Sequence, residues 1–352
     1  MADRSKRARK VLSVAIRLVV AGGLVGWLIY SGKFKPGDVA RATGRPAWLL
    51  AAGGLFATCT LVSISRWWVL LAAQGVRLPP GDVIQLSFIG FVFSSYIPGV
   101  VTGDVVKAYY LARETHNKAG AVMSILVDRT LGMFTFIATA AVALAIWFAL
   151  GGPWAIEPQR RPRILLFSAA VFASFLVLVA GACVLLSRRL RRSEAFRAML
   201  GWLPAADTVR RLYDAIYIYR DRLGYLGLAT ALSLCLQVPI ILAHYCSARA
   251  VGEASLGVGL YFFLGPMGLV INAVPLGPLG LGFGQVGYQK LFAAFRSNKG
   301  AEIISVLQII MFAWNQLGWI FYLKGRDKYR AALAAGTMEA AAQAAGCAQE
   351  GS

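Results

Sequence analysis

Four charged residues lie in stretches of this chain that are otherwise apolar: Asp104, Lys107, Asp128 and Arg129. Asp104 and Lys107 follow an apolar run that enters at Ile84, breaks at Pro98-Gly99 and breaks again at Gly103. Asp128 and Arg129 stand one or two turns inside the next apolar run, which starts near Ala119. Carboxylates beside an ammonium and a guanidinium can hold a polar ligand: the acids accept from cationic or hydroxylated groups, and the bases take a phosphate. Asp128 and Arg129 are neighbours, so on a helix they point about 100° apart and each needs another partner. Lys107 for Asp128 and Asp104 for Arg129 would make a neutral four-charge cluster. Asp104 also has a plainer reading as a carboxylate in the first turn of a helix. It could instead pair with Lys107, three residues on.

A second broken stretch follows the apolar run Val258 to Asn272. It reads Pro275-Leu-Gly-Pro278-Leu-Gly280-Leu-Gly282-Phe-Gly284-Gln285-Val-Gly287. Gly282 to Gly287 formally matches GxGxxG, but no strand precedes it and no βαβ unit fits, so a dinucleotide site is rejected. Physically it is a broken-helix tip whose free N–H groups could face an anionic group.

The elements that must carry these residues are membrane helices. The chain is 58% hydrophobic, with mean hydropathy +0.63, and contains several apolar runs of the roughly 18 residues or more that read as spans. The net charge of +20 gathers between the apolar runs, as orientation by cytoplasmic positive charge produces. No nucleic-acid motif is present, and nucleic acid is excluded as a partner. The five cysteines, Cys59, Cys183, Cys235, Cys246 and Cys347, lack metal spacing and read as small buried hydrophobes. No metal or cofactor is called for. No Ser/His/Asp set or pair of exposed carboxylates marks an enzyme.

In chain order, span 1 is about Val11 to Tyr30, an uncleaved first span behind a basic, cytoplasmic start. Span 2, about Trp48 to Ala73, returns to the cytoplasm. Its Arg66-Trp67-Trp68 reads as an interfacial belt with a snorkelling arginine, or else as a cavity-lining cation. Val83 to Ile97 is the ascending arm of a re-entrant hairpin, and a descending helix runs from Thr102 or Gly103 through Ala112. Span 3 is about Ala119 to Leu150 and span 4 about Ile164 to Leu186. Residues 187–222 hold nine Arg against four acidic residues, and Leu212, Ala215, Ile216 and Tyr219 recur at helical spacing. That is an amphipathic cytoplasmic helix able to lie on anionic headgroups. Span 5 is about Leu223 to Ala248, where the lone His244 near the span end reads as an interfacial or packing residue, not a ligand. A helix from about Gly284 to Phe295 leads to span 6, about Ile303 to Leu323.

Span, broken hairpin, span therefore occurs twice, once around Pro98-Gly99 and once around Pro275 to Gly287. By the charge rule the first hairpin enters from the cytoplasm and the second from outside, so the units are inverted. Interrupted segments in matching places of two halves point to a midplane transport site. The alternative is that both hairpins are only structural. The fold class expected is all-α: a polytopic membrane protein of about six spans plus two re-entrant or broken hairpins in an inverted repeat. Residues 1–330 form the transmembrane domain and residues 331–352 a polar, Ala-rich cytoplasmic tail.

Ser95-Tyr-Ile-Pro98-Gly99-Val-Val-Thr-Gly103-Asp104-Val-Val-Lys107, Val127-Asp128-Arg129-Thr-Leu-Gly132 and Pro275…Pro278-Leu-Gly280-Leu-Gly282 resemble signatures of the lysylphosphatidylglycerol synthase transmembrane (flippase-like) family. Two positions depart from the family pattern: Val100 replaces a second glycine, and Gln285 stands where Glu is frequent. The resemblance implies a bacterial inner-membrane protein that flips an aminoacylated phosphatidylglycerol or handles another polar lipid; the positive loops put both termini in the cytoplasm. Full-length synthases of that family add a soluble C-terminal aminoacyltransferase domain, which is not expected here, since about 29 residues after span 6 are too few to bury a core.

Three functions remain open: a lipid flippase or transporter; an accessory subunit or scaffold of a membrane lipid or glycolipid pathway; and a membrane lipid transferase. The expected substrate-binding set is Pro98, Gly99, Gly103, Asp104, Lys107, Asp128, Arg129, Pro275, Gly280, Gly282 and Gln285. A membrane phospholipid or glycolipid is the expected partner. A second copy of the chain and a cytoplasmic lipid-biosynthetic enzyme are further candidates.

Overall fold

The computed structural model describes residues 42–96, 102–151, 161–185, 187, 206–272 and 283–323. These residues form helices and no strand. The helices are α1 (Pro46–Ala73), α2 (Pro80–Tyr96), α3 (Thr102–Glu114), α4 (Lys118–Ala149), α5 (Arg161–Leu185), α6 (Ala206–Asp221), α7 (Leu223–Ala250), α8 (Val258–Asn272), α9 (Phe283–Ala293) and α10 (Gly300–Asn315). A short turn carries α10 on to Leu323. Five segments are long and apolar enough to cross a bilayer: α1, α4, Leu165–Val184 within α5, α7 and Gly300–Leu323. They match expected spans 2 to 6. Span 1 and the C-terminal tail lie outside the described residues. At a rise of about 1.5 Å per residue, α2, with 17 residues, and α8, with 15, reach only about 23–26 Å and stop short of a roughly 30 Å hydrocarbon core.

The long contact between α1 and α7 is the axis of the molecule. The two helices are antiparallel, as the hydrogen bonds at their ends show. Arg45, just before α1, donates from Nη1 to the carbonyl of Arg249 near the end of α7, at 2.9 Å. Arg222, just before α7, donates from Nη1 to the carbonyl of Ala73 at the end of α1, at 3.0 Å. A guanidinium on the free carbonyls of a helix C-terminus satisfies them and suits the helix dipole.

Around this axis the contacts of one half recur in the other. The hairpin α2–α3 packs on α1 and α4; the hairpin α8–α9 packs on α7 and α10. Each hairpin also reaches across, α8 to α4 and α2 to α10. Asn117, the cap residue of α4, donates to the carbonyl of Gln74 just past α1, at 3.0 Å. Lys299, the cap residue of α10, donates to the carbonyl of Gly252 just past α7, at 2.9 Å. So the first hairpin enters where α1 ends and the second where α7 ends, which is the opposite end. The inverted repeat expected from the charge pattern is the architecture of the fold.

Two expectations need correction. From Ala215 to Tyr219 the apolar face of α6 is not offered to headgroups: Ala215 and Tyr219 are buried with Leu70, Ala73, Met123 and Ala229, and Ile216 packs against them. Tyr219 donates to the carbonyl of Leu70 at 3.1 Å, and Gln74 donates to the carbonyl of Ala215 at 2.7 Å. The helix is docked by satisfying polar groups on both sides of its seam. Likewise Cys59 and Cys246 are buried, but Cys183 and Cys235 face outward from spanning helices. An outward thiol in a span costs little, because the surroundings there are as apolar as a core.

Candidate functional site

The first hairpin closes on glycines. A Cβ at Gly103 would lie 2.2 Å from the carbonyl oxygen of Gly90 and 2.0 Å from Ser94 Oγ, so only glycine lets α3 cross α2 this closely. A Cβ at Gly90 would lie 2.6 Å from Cε of Lys107. The stem of Lys107 is therefore laid in the notch that Gly90 leaves. It delivers Nζ over the faces of Trp67, 4.8 Å from the ring centroid, and Phe91, at 4.9 Å.

Asp104, in the first turn of α3, accepts two hydrogen bonds from Arg129 on α4: Nε to Oδ2 at 2.6 Å and Nη2 to Oδ1 at 2.8 Å. This is the side-on, two-pronged pair that a guanidinium makes with a carboxylate, and it is the pairing expected for these residues. Asp104 is buried, while the Arg129 side chain is 46% exposed.

Asp128 does not pair with Lys107. Its partner is Arg66, whose Nε donates to Oδ1 at 2.7 Å. Arg66 Nη1 donates to Ser233 on α7 at 3.0 Å, and Ser233 in turn donates to the carbonyl of Ala229. Arg66 is 7% exposed and Trp67 2%, so the interfacial-belt reading fails for both; only Trp68, at 41%, faces outward. The reason is the seam of α4. Ser124, Asp128 and Gly132 recur every four residues, on one face. Ser124 accepts from Trp67 Nε1 at 3.2 Å, Asp128 takes the guanidinium, and Gly132 leaves room for it, with a would-be Cβ 3.4 Å from Nη1. That stripe of small and acidic residues was the sequence signal that Arg66 had a partner inside the fold.

The result is five ionised groups, not four: Arg66, Asp104, Lys107, Asp128 and Arg129. Arg66 lies seven residues before the end of α1, which at about 1.5 Å per residue is roughly 10 Å inside. Charges at such depth need partners or a polar cavity. Two ion pairs are closed, and the cluster keeps one net positive charge on Lys107.

The second hairpin repeats this frame with neutral residues. Gly268 and Gly90 stand equally far from the starts of α8 and α2; Tyr288 and Lys107 from the starts of α9 and α3; His244 and Trp67 from the starts of α7 and α1. A Cβ at Gly268 would lie 2.3 Å from the Tyr288 ring, so the phenol rests in the notch as Lys107 does. Tyr288 stacks on His244 and shares a 2.8 Å hydrogen bond with its Nε2, while Nδ1 meets the carbonyl of Ile240 at 2.7 Å. Both residues are buried, so of the two readings of His244 packing holds and the interfacial one fails. Gln285 matches Asp104 in place and donates to Ser305 on α10 at 2.8 Å, where Asp104 holds Arg129 on α4.

Of the expected site residues, Asp104, Lys107, Asp128 and Arg129 gather at the first hairpin, and Gly103 serves its crossing. Gln285 belongs to the second hairpin. Pro98, Gly99, Pro275, Gly280 and Gly282 lie outside the described residues. Among the described residues, no group of three His, Cys, Asp or Glu could hold a metal ion.

Two inverted, broken-helix halves around an antiparallel pair, with ionised side chains gathered at membrane depth, define a multi-pass membrane protein with a polar site inside its spans. Residues 14–315 match the family described as Lysylphosphatidylglycerol synthase TM region, and the chain belongs to that family. Membership carries a membrane-lipid-related role. No curated protein matches the chain. No solved structure matches it either.

Proposed function

We propose that this protein moves a polar lipid headgroup between the two leaflets and performs no chemistry on it. The observation that carries the reading is the set of five ionised residues where the first hairpin meets α1 and α4. A headgroup crossing hydrocarbon alone loses its hydration at a cost of many kcal/mol. Fixed ion pairs and a spare ammonium replace that hydration at the entrance, and the broken hairpins let the site face either side. Ser233, Gln237, His244 and Ser247, all buried on one face of α7, continue a polar line from Arg66 toward the second hairpin. We place the protein in the bacterial inner membrane, with the α6 end cytoplasmic because of its arginines.

The test is reconstitution. Purified protein in liposomes should speed passage of fluorescent phospholipids without ATP and without a change in lipid mass. Asp104→Ala and Arg129→Ala should each lower the rate. If no headgroup class moves, glycosylated polyprenyl phosphates included, the transport reading is lost and a scaffold role gains; a change in lipid mass would mean a transferase.

A further inference from the structure

Resting on the transport reading, we infer that the lipid carries a phosphate ester with one net negative charge, and that Lys107 Nζ receives it. Of the five ionised groups, four are already spoken for. Arg129 holds Asp104 through two hydrogen bonds, and Arg66 holds Asp128. Among the described residues, no carboxylate lies within ion-pair distance of Lys107, although it is only 7% exposed and feels the charges of all four others. The Trp67 and Phe91 faces return part of the hydration it has lost, but they accept none of its three N–H groups as a carboxylate or phosphate would. A buried ammonium without a counter-charge is costly, and an anion that binds beside it relieves that cost.

The charge count then sets the class of lipid. One phosphodiester brings the cluster to neutrality. A zwitterionic headgroup leaves the excess in place, and a lysylated headgroup adds to it. Arg129 supports the same choice: it uses Nε and Nη2 on Asp104, and its half-exposed side chain keeps Nη1 for a second phosphate oxygen. The Gly90 notch fixes where the lysine stem runs, so the cation is placed and not merely tolerated.

Binding separates this inference from transport. The full chain in a neutral maltoside detergent is titrated with dioctanoyl phosphatidylglycerol, its lysylated form, dioctanoyl phosphatidylcholine, dioctanoylglycerol and inorganic phosphate. The phosphatidylglycerol should bind at least about 10-fold tighter than each of the others, a difference of about 1.4 kcal/mol. Lys107→Gln should erase that preference, bringing phosphatidylglycerol to within about 2-fold of phosphatidylcholine. Wild-type protein that ranks the headgroups equally, or prefers the lysylated one, overturns the inference even if no variant folds. A Lys107→Gln variant that keeps the preference overturns the assignment to Lys107. Inorganic phosphate binding as tightly as the lipid would make the site one for a free phosphate, against the inference. If the ranking holds but liposomes show no transport, the anion site stands and the transport reading falls.

Discussion

Arg45 and Arg222 do the same work in opposite directions. Each stands just before a long helix, and each donates to the last carbonyls of the other's helix, at 2.9 Å to Arg249 and 3.0 Å to Ala73. The pair ties α1 and α7 together at both ends and fixes them antiparallel, which places the two hairpins on opposite faces of the membrane.

That arrangement makes topology testable. Leu150, exposed just past α4, and Asp221, exposed at the end of α6, should lie on opposite sides. In a cysteine-free background, a membrane-impermeant maleimide should label Leu150→Cys in intact cells. It should label Asp221→Cys only after permeabilisation. Labelling of both in intact cells would refute the inverted repeat.

The Arg66–Asp128 pair should be costly to halve and cheap to remove. Asp128→Asn strands a guanidinium, and breaking a buried pair typically costs about 3–5 kcal/mol. Arg66→Met with Asp128→Leu removes both charges and should recover most of the melting temperature in detergent. The double variant should still fail to move lipid, because the site has lost two of its charges.

Gly103→Ala should separate a crossing glycine from a merely frequent one. Its Cβ would meet the Gly90 carbonyl at 2.2 Å, so α2 and α3 must part, and overpacking of this kind costs about 1–3 kcal/mol or more. Gly181→Ala, with nothing within 4 Å, is the control and should melt like wild type. Equal melting of the two variants would show that the hairpin is not closed at this point.

The loop after α7 carries a pH dependence of definite sign. Burial opposes ionisation of Glu253, but hydrogen bonds from Ser255 and Ser297, with the Lys299 charge nearby, outweigh it and hold the carboxyl below its ordinary range. A carboxyl lowered by folding stabilises the protein above the unfolded value of about 4.3 and loses that contribution as pH falls through the lower folded value. Melting temperature should therefore drop on acidification below about pH 4. Glu253→Gln should flatten that part of the profile; an unchanged profile would remove Glu253 as its cause.

Span positions were legible because long apolar runs leave few alternatives in a membrane, and the repeat was legible because each half sets a broken apolar stretch, at Pro98-Gly99 and from Pro275 on, between two spans. The Asp104–Arg129 pair could be read because both residues interrupt apolar runs. For Arg66 the belt reading fails and the inward-facing one is nearer: Trp67 and Trp68 beside it look like an interfacial belt, and sequence alone does not say which face of α1 is covered. Only Trp68 keeps the belt's exposure. The match of Lys107 with Tyr288 was hidden for a different reason. A lysine and a tyrosine share no chemistry, and only the notches at Gly90 and Gly268 show that they hold the same place.

Those two notches separate what closes the hairpins from what lines them. One accepts an ammonium on a flexible stem, the other a rigid phenol, and the crossing helices are undisturbed by the exchange. What the crossing needs is an absence of side chain; what fills the gap is whatever the opposite helix lays into it. Under the proposed transport function, the residue at 107 or 288 is thus the place to re-engineer lipid preference one face at a time, with the glycines left alone.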